Sequence, residues 1–249
     1  MALLVLDLGR ALFVSEVGVL SPHQAAADAL LVGLDGSFTL RLAGAVAELE
    51  SCVVPARTRH ALDFHGGRIA CLYFEPGSRA PHELDVATLR ARLLVVLAER
   101  GEHAWRALLD DAGFDPVARA VDPRVAEVAA VLASAPDENL TADALAQRVG
   151  LSGGRLEHLF ARSYGVPLGA WRGWWRMRLA AEQLLEGGTL TRAAHAAGFH
   201  DSAHFSHAFR QTFGLPPSLV FNNRLEGRLI GCHPFAGSGP LLPEPGSRP

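Results

Sequence analysis

Two segments near the C-terminal end of the chain share one pattern of apolar and polar positions. In Leu140–Phe160 and again in Thr191–Phe213, two short runs with helical spacing of apolar residues flank a glycine, Gly150 or Gly198. A glycine between two helices allows the tight turn of a helix-turn-helix. Helix N-caps are expected at Thr141, Ser152, Thr191, and Asp201 or Ser202. The repeat predicts two helix-turn-helix units, which place their second helices in the major groove of double-stranded DNA.

A single amphipathic helix is predicted between these units, from about Pro167 to Glu186. Its length of roughly 30 Å is close to the ~34 Å that separates successive major grooves on one face of DNA. We therefore expect one chain to occupy two consecutive grooves. Its large apolar side chains are expected to pack in the core and between the domains, with base stacking as the alternative: Trp171, Trp174, Trp175, Leu179 and Leu184.

The first 80 or so residues alternate in the manner of β-strands. Leu30–Leu34 and Phe38–Leu42, joined by Asp35-Gly36, predict a hairpin. Ala47–Val54 and Ile69–Phe74 are further β-rich runs. These strands are too few for a closed barrel, so we expect a small, partly open β-sandwich.

A helical pattern follows from Asp85 to about Asp111, and Asp122-Pro123 has the sequence of a helix start. The apolar stripe on the first of these helices predicts a homodimer interface, although it could instead cover the sheet of its own domain. The stripe consists of Leu89, Leu93, Val96 and Leu97.

The pattern as a whole predicts an α+β protein of two domains. The expected division is a β domain at 1–84, a helical coupling segment at 85–121, tandem helix-turn-helix units at 122–226, and a disordered Gly/Pro-rich tail at 227–249.

The composition is less informative about function than the pattern of apolar and polar positions. The net charge is −3, and all 23 basic residues other than histidine are arginines. Residues 1–135 have 12 Arg against 17 acidic residues, whereas residues 136–224 have 9 Arg against 7, so the charge changes sign in the direction that DNA binding requires. Three cysteines without zinc spacing argue against a disulfide framework. Because no apolar run is long enough for a membrane span, we expect a cytoplasmic protein without a membrane partner.

The C-terminal segments resemble the AraC/XylS family of transcription regulators over about Pro123–Arg224. The motifs that agree with the family include Leu145-Ala146, Gly150-Leu151-Ser152, Ala197-Gly198-Phe199, His204-Phe205-Ser206, Phe213-Gly214-Leu215 and Pro217-Ser218. The resemblance implies a sequence-specific regulator that binds promoter or operator DNA, contacts RNA polymerase, and is neither an enzyme nor dependent on a cofactor. The N-terminal part resembles, less specifically, the truncated cupin-like sensor half of some family members.

The resemblance also assigns positions that contact bases. Glu157 can accept from cytosine, histidine can donate to guanine, and Ala203 can meet a thymine methyl group. The set of base-reading positions is Gly154, Glu157, His158, Ser202, Ala203, His204 and His207. His204 and His207 could alternatively form a metal pair, but no third ligand lies nearby in the sequence.

Contacts to phosphates are expected around both second helices, from arginines and from helix N-termini. These residues are Thr141, Ser152, Arg155, Arg162, Arg172, Arg192 and Arg210. For any single arginine, a solvated surface position is the alternative.

Three histidines, His23, His60 and His65, suggest an effector pocket in the β domain. Cupin metal sites need a His-x-His pair, and Ala25 stands where the second histidine would be. We therefore expect a small organic effector and no metal. The alternatives are a metal or thiol sensor that also uses Cys52 and Cys71, and a cupin-type metalloenzyme.

Overall fold

The computed structural model of the chain describes residues 2–7, 9–80, 85–99, 107–108, 117–136, 138, 140–221 and 225–229. The strands are β1 Ala2–Asp7, β2 Arg10–Glu16, β3 Val19–His23, β4 Asp28–Gly33, β5 Phe38–Leu42, β6 Ala45–Leu49, β7 Ser51–Val54, β8 His60–Asp63, β9 Arg68–Phe74, β10 Ser78–Arg79, β11 Val117–Ala118 and β12 Leu225–Leu229. The helices are α1 Val86–Glu99, α2 Pro123–Ser134, α3 Ala142–Arg148, α4 Gly153–Tyr164, α5 Leu168–Leu185, α6 Leu190–Ala196, α7 Ser202–Phe213 and α8 Pro217–Val220.

The N-terminal part is an open β-sandwich and the C-terminal part is helical, as the sequence predicts. One sheet has six strands in the order β12-β1-β2-β9-β4-β7, and a second has four in the order β3-β8-β5-β6. Neither sheet closes into a barrel, and β10 pairs separately with β11. Within the described residues, no helix is long and apolar enough to cross a bilayer.

The predicted hairpin is wrong. β4 pairs with β7 and β9, whereas β5 pairs with β6 and β8, so the Asp35-Gly36 turn connects two different sheets. The Asp35 carboxylate accepts hydrogen bonds from the backbone N–H and the Nε of Arg68, both at 2.9 Å. The predicted run from 47 to 54 likewise divides into β6 and β7, which lie in different sheets. Alternation identifies strands, but their partners are set by contacts distant in sequence.

The six-stranded sheet is apolar on both faces, because each face is covered by another element. One face packs against α1 through Leu3, Val5, Leu12 and other buried residues. The stripe on α1 is only 1–8% exposed, since Leu89, Leu93, Val96 and Leu97 pack on this face. The stripe is therefore not the dimer interface that the sequence predicted, because it belongs to the chain's own core.

Residues at the C-terminal end return to the N-terminal domain. β12 lies parallel to β1, with Ala2 opposite Leu225 and Leu6 opposite Leu229. Residues 227–229, which the sequence assigns to a disordered tail, are therefore part of a strand; residues 230–249 lie outside the described part. β12 thus satisfies the backbone donors and acceptors that β1 would otherwise expose at the edge of the sheet.

Candidate nucleic-acid interface

The first helix-turn-helix unit consists of α3 and α4. Both predicted caps are present: the Thr141 hydroxyl accepts from the N–H of Ala144 at 3.2 Å, and the Ser152 hydroxyl from that of Arg155 at 3.4 Å. Between the helices Gly150 has φ of +66°, a conformation that a side chain would strain. The caps and this glycine fix the bend between the two helices.

The second unit, α6 and α7, repeats this construction with one correction. Thr189, not Thr191, is the N-cap of α6: its hydroxyl accepts from the N–H of Arg192 at 3.2 Å. A helix that begins at Leu190 continues directly from the turn that ends α5, and Thr191 falls in its exposed first turn. Asp201 caps α7 and accepts from the N–H of His204 at 2.7 Å.

Small and fully buried side chains hold the paired helices of each unit close together. Leu145 and Ala146 of α3 pack against α4, and Ala193 and Ala194 of α6 pack in the same way against Phe205 of α7; all five are at most 1% exposed. Because the buried stripe fixes the rotation of each recognition helix, it also determines which side chains point outward.

The predicted base-reading positions lie on the outward faces of α4 and α7. Ser202, at the start of α7, is half-buried, and the others are exposed: Gly154, Glu157, His158, Ala203, His204 and His207. The Nε2 atom of His207 also lies 2.9 Å from the side-chain Nε2 of Gln211, within hydrogen-bond distance. Both recognition helices therefore present polar groups at the protein surface.

Four of the five predicted phosphate-contacting arginines are exposed beside these helices: Arg155, Arg162, Arg192 and Arg210. Arg172 is different, because its Nη2 donates to the backbone carbonyl of Leu140 at 2.8 Å. Burial, together with nearby Arg176, lowers the pKa of Arg172. Arg172 therefore ties α5 to the start of the first unit and is less exposed than the other four arginines.

α5 joins the units and is anchored at several points. Its 18 residues span roughly 27 Å. The guanidinium of Arg176 donates to the Pro136 carbonyl, with Nε at 3.0 Å and Nη2 at 2.6 Å, and Trp175 packs parallel to Trp171. On the opposite face Trp174 packs against Tyr73 of β9. The linker is therefore a spacer that is anchored to the segment before the first unit and also contacts the β domain.

The second unit is docked on the β domain, a contact that the sequence did not reveal. The N–H of Ser21 donates to the carbonyl of Gly214, and the N–H of Gln24 to that of Gln211, each at 3.0 Å. The position of Gly214 has no room for a side chain, since a Cβ would stand 2.6 Å from the Nδ1 of His23. The C-terminal end of α7 is thus fitted closely against β3.

The three candidate effector histidines are not brought together. His23 and His60 are opposite each other on β3 and β8, with ring centroids 4.3 Å apart, and both are buried. Burial and the neighbouring His60 lower the pKa of His23 to about 4, and burial lowers that of His60. His65 is exposed and lies near Glu48 and Asp63 instead.

The candidate metal and thiol sites have little support in this geometry. The described residues contain no group of three or more His, Cys, Asp or Glu side chains that could hold a metal ion. Cys52 and Cys71 both stand opposite Leu31, on strands either side of β4, and are therefore about 10 Å apart. Burial raises the pKa of Cys52 to about 11 and that of Cys71 to about 12, so neither is a reactive thiolate near neutral pH. Cys232 lies outside the described residues.

Comparison with known proteins supports the helix-turn-helix assignment. A family model described as a helix-turn-helix domain matches residues 145–223. A putative AraC-like transcription regulator of Streptomyces lividans is 30% identical over 174 residues, which cover 66% of this chain and 53% of that protein. The regulatory protein Ada of Salmonella typhimurium is 34% identical over 113 residues, covering 42% of this chain and 32% of Ada. The chain thus matches about half or less of the length of these relatives.

Solved structures extend the likeness to both domains. A ToxT variant from Vibrio cholerae aligns with 86% of this chain and 97% of its own, with a TM-score of 0.57 and 11% identity. Fatty-acid-bound ToxT from Vibrio cholerae aligns with 84% and 93%, with a TM-score of 0.54. At this identity the likeness concerns the fold. Residues 145–223 are therefore a helix-turn-helix domain of the AraC type, and they belong to a chain with the two-domain fold of ToxT.

Proposed function

We propose that the protein is a sequence-specific transcription regulator that binds double-stranded DNA with both helix-turn-helix units of one chain. The observation that supports this most directly is the pair of recognition helices, α4 and α7, each capped, each buried along one stripe and each exposing polar residues. The spacer of roughly 27 Å between them suits two consecutive major grooves.

The recognition chemistry is divided between the two helices. Glu157 on α4 accepts from the exocyclic amine of cytosine, and His204 and His207 on α7 donate to guanine. Arg155 and Arg210 flank these positions and neutralise phosphates, which positions the protein without selecting a sequence. The modest positive charge of this half predicts weak, salt-sensitive non-specific binding.

The test is selection from random double-stranded DNA with the full-length protein. Glu157→Ala should change preference at one position of the selected motif, and His207→Ala at a position about one helical turn away, each by roughly 1–3 kcal/mol. Glu127→Ala, an exposed change on α2 outside both units, is the matched control. If all three variants select the motif of the wild-type protein with equal affinity, the assigned reading positions are wrong.

We further propose that a small molecule bound by the N-terminal half controls DNA binding. The docking of α7 on β3 provides a route, because any change at this contact alters the setting of the second unit. The bound fatty acid in the ToxT structure supports small-molecule control in this fold. The raised pKa values of Cys52 and Cys71 disfavour the thiol-sensor alternative. A cytoplasmic location, contact with RNA polymerase and a homodimer that does not use the α1 stripe complete the proposal.

No catalytic role is proposed. The Escherichia coli Ada protein is described as a bifunctional transcriptional activator and DNA repair enzyme, but the match covers 76 residues and 22% of that protein. A match of that extent provides no argument for repair chemistry in this chain.

A further inference from the structure

A cavity of about 70 Å³ lies where the β domain meets the helical domain. Its walls come from β1, β2 and β9 on one side, and from α5, α7 and the segment that follows α7 on the other. Protein interiors are close-packed, and a void of this size forfeits contacts along its whole lining. A void that persists between two domains is therefore a place where a ligand can restore those contacts.

The lining of the cavity is almost entirely apolar. Aliphatic and aromatic side chains such as Leu6, Phe13, Phe209 and Phe213 form most of it. Two charged side chains, Glu75 of β9 and Arg178 of α5, are also part of the lining. The occupant that suits such walls has an apolar body and one polar group.

The hydrogen bonds of Arg178 indicate where that polar group goes. Its side chain is 2% exposed. Nη1 donates to Glu75 Oε1 at 2.6 Å and to the Asp7 carbonyl at 2.9 Å, and Nε donates to Glu182 Oε1 at 2.9 Å. Among the described residues, Nη2 has no acceptor. A buried N–H donor without an acceptor is costly, so an occupant that supplies an oxygen gains this hydrogen bond.

The charges around Arg178 determine whether that oxygen is neutral or ionised. Two buried or nearly buried guanidiniums, Arg10 and Arg178, lie among three carboxylates, Asp7, Glu75 and Glu182. Although burial works against its charge, the Glu75 and Glu182 carboxylates raise the pKa of Arg178, so its positive charge is already balanced. A carboxylate on the ligand would add a fourth acid to this water-poor cluster and would be repelled by the other three. A carbonyl or ether oxygen would accept a hydrogen bond from Nη2 without this repulsion.

We propose that this cavity binds a small, neutral, apolar molecule with one hydrogen-bond acceptor, of the ketone, ester or lactone class, whose oxygen accepts from Nη2 of Arg178. This ligand class differs from the fatty acid bound by ToxT, because the carboxylates around Arg178 disfavour a further negative charge. Such a molecule would be the effector of the proposed regulator, and only its effect on DNA rests on that proposed function. Because both domains line the cavity, a bound molecule holds them in the docked arrangement.

The test uses the full-length protein and three probes of equal chain length: 2-pentanone, pentanoate and pentane. Ligand-observed saturation-transfer NMR without DNA should show binding of 2-pentanone, no binding of pentanoate, and binding of pentane weaker by about tenfold because it lacks the acceptor. Equal binding of pentane would show that Arg178 takes no part. Binding of pentanoate as strong as that of the ketone, or no binding of the ketone, would overturn the proposal.

Two variants locate the site and test the charge argument. Ala181→Leu fills the cavity and should abolish ketone binding, whereas Ala98→Leu, an exposed change on α1, should leave it unchanged. Glu75→Gln removes one carboxylate and should allow pentanoate to bind. Ketone binding that persists in a folded Ala181→Leu protein places the site elsewhere. DNA binding is measured separately on the wild-type protein, so that loss of the regulator function and loss of this ligand site are distinguishable.

Discussion

His23 connects a single side chain to the stability of the whole chain. It is 2% exposed, faces His60 across the strand pair, and lies under Gly214 at the end of α7. Its Nδ1 donates to the Ser21 carbonyl at 2.8 Å, within the strand that also holds the second helix-turn-helix unit. A charge on this ring would be buried beside a second imidazole, and the folded chain therefore keeps His23 neutral.

The stability of the protein should fall as the pH is lowered from about 6.5 toward 4. With the pKa of His23 at about 4 in the folded chain and 6.5 in the unfolded chain, the unfolded state takes up a proton that the folded state refuses in this window. The expected loss between pH 7 and pH 5 is about 2 kcal/mol from His23 alone. Urea unfolding at the two pH values measures it. His23→Gln should reduce the difference, and His65→Gln, at an exposed position, should not.

Two arginines that look equivalent in sequence should behave differently when replaced. Arg155→Ala removes an exposed guanidinium next to α4, so DNA affinity should decrease for all sequences and the salt slope of binding should fall by about one unit. Arg172→Ala breaks the hydrogen bond to the Leu140 carbonyl and should instead lower the stability of the first unit with little change in salt slope. Titrations of DNA binding at several salt concentrations decide this, and equal slopes for the two variants would contradict the assignment.

Helices were predictable from the sequence to the extent that their ends are encoded locally. Thr141, Ser152 and Asp201 cap helices as expected, because a cap is a contact between residues three apart. Strand partners were not predictable, because Asp35-Gly36 has the local chemistry of a hairpin while β4 and β5 each find better partners elsewhere. The exception among the helices, Thr191, arose because two threonines compete for the same role within three residues.

The two threonines before α6 provide a test of this assignment. Thr189→Ala removes the hydroxyl that accepts from Arg192 N–H and should destabilise the protein by about 1 kcal/mol. Thr191→Ala changes an exposed residue in the first turn and should stay within about 0.5 kcal/mol of the wild-type protein. Thermal or urea unfolding of the two variants separates them, and the reverse order would return the cap to Thr191.

At the scale of the whole molecule, the most informative feature is the contact between the domains. The sequence indicated only that the linker helix contributes apolar side chains to this contact, not which residues they meet. Trp174 was correctly expected to pack in the interior, but the periodicity of α5 does not reveal that Tyr73 is its neighbour. The sequence also does not reveal the partners of Arg178, which looks like an ordinary surface arginine of a helix. In the structure it is 4% exposed, because Glu75 and the Asp7 carbonyl lie next to it. Pairs of residues more than a hundred positions apart leave no local pattern.

Two glycines with almost the same backbone conformation isolate the effect of domain docking. Gly165 ends α4 with φ of +76° and Gly214 ends α7 with φ of +77°, so alanine at either position should cost roughly 1–2 kcal/mol of backbone strain. At Gly165 the added Cβ meets only the flexible side chain of Arg119, whereas at Gly214 it meets the Ser21 carbonyl and the His23 ring.

Gly214→Ala should therefore weaken the hold of β3 on the second unit, and Gly165→Ala should not. We expect faster hydrogen exchange at the N–H groups of Ser21 and Gln24 in Gly214→Ala alone, together with a changed affinity for a two-groove DNA site. If docking restrains the second unit, affinity rises in that variant; if docking presents the unit correctly, affinity falls. Exchange rates and affinities that are the same in the two variants would show that the contact between β3 and α7 has no part in controlling DNA binding.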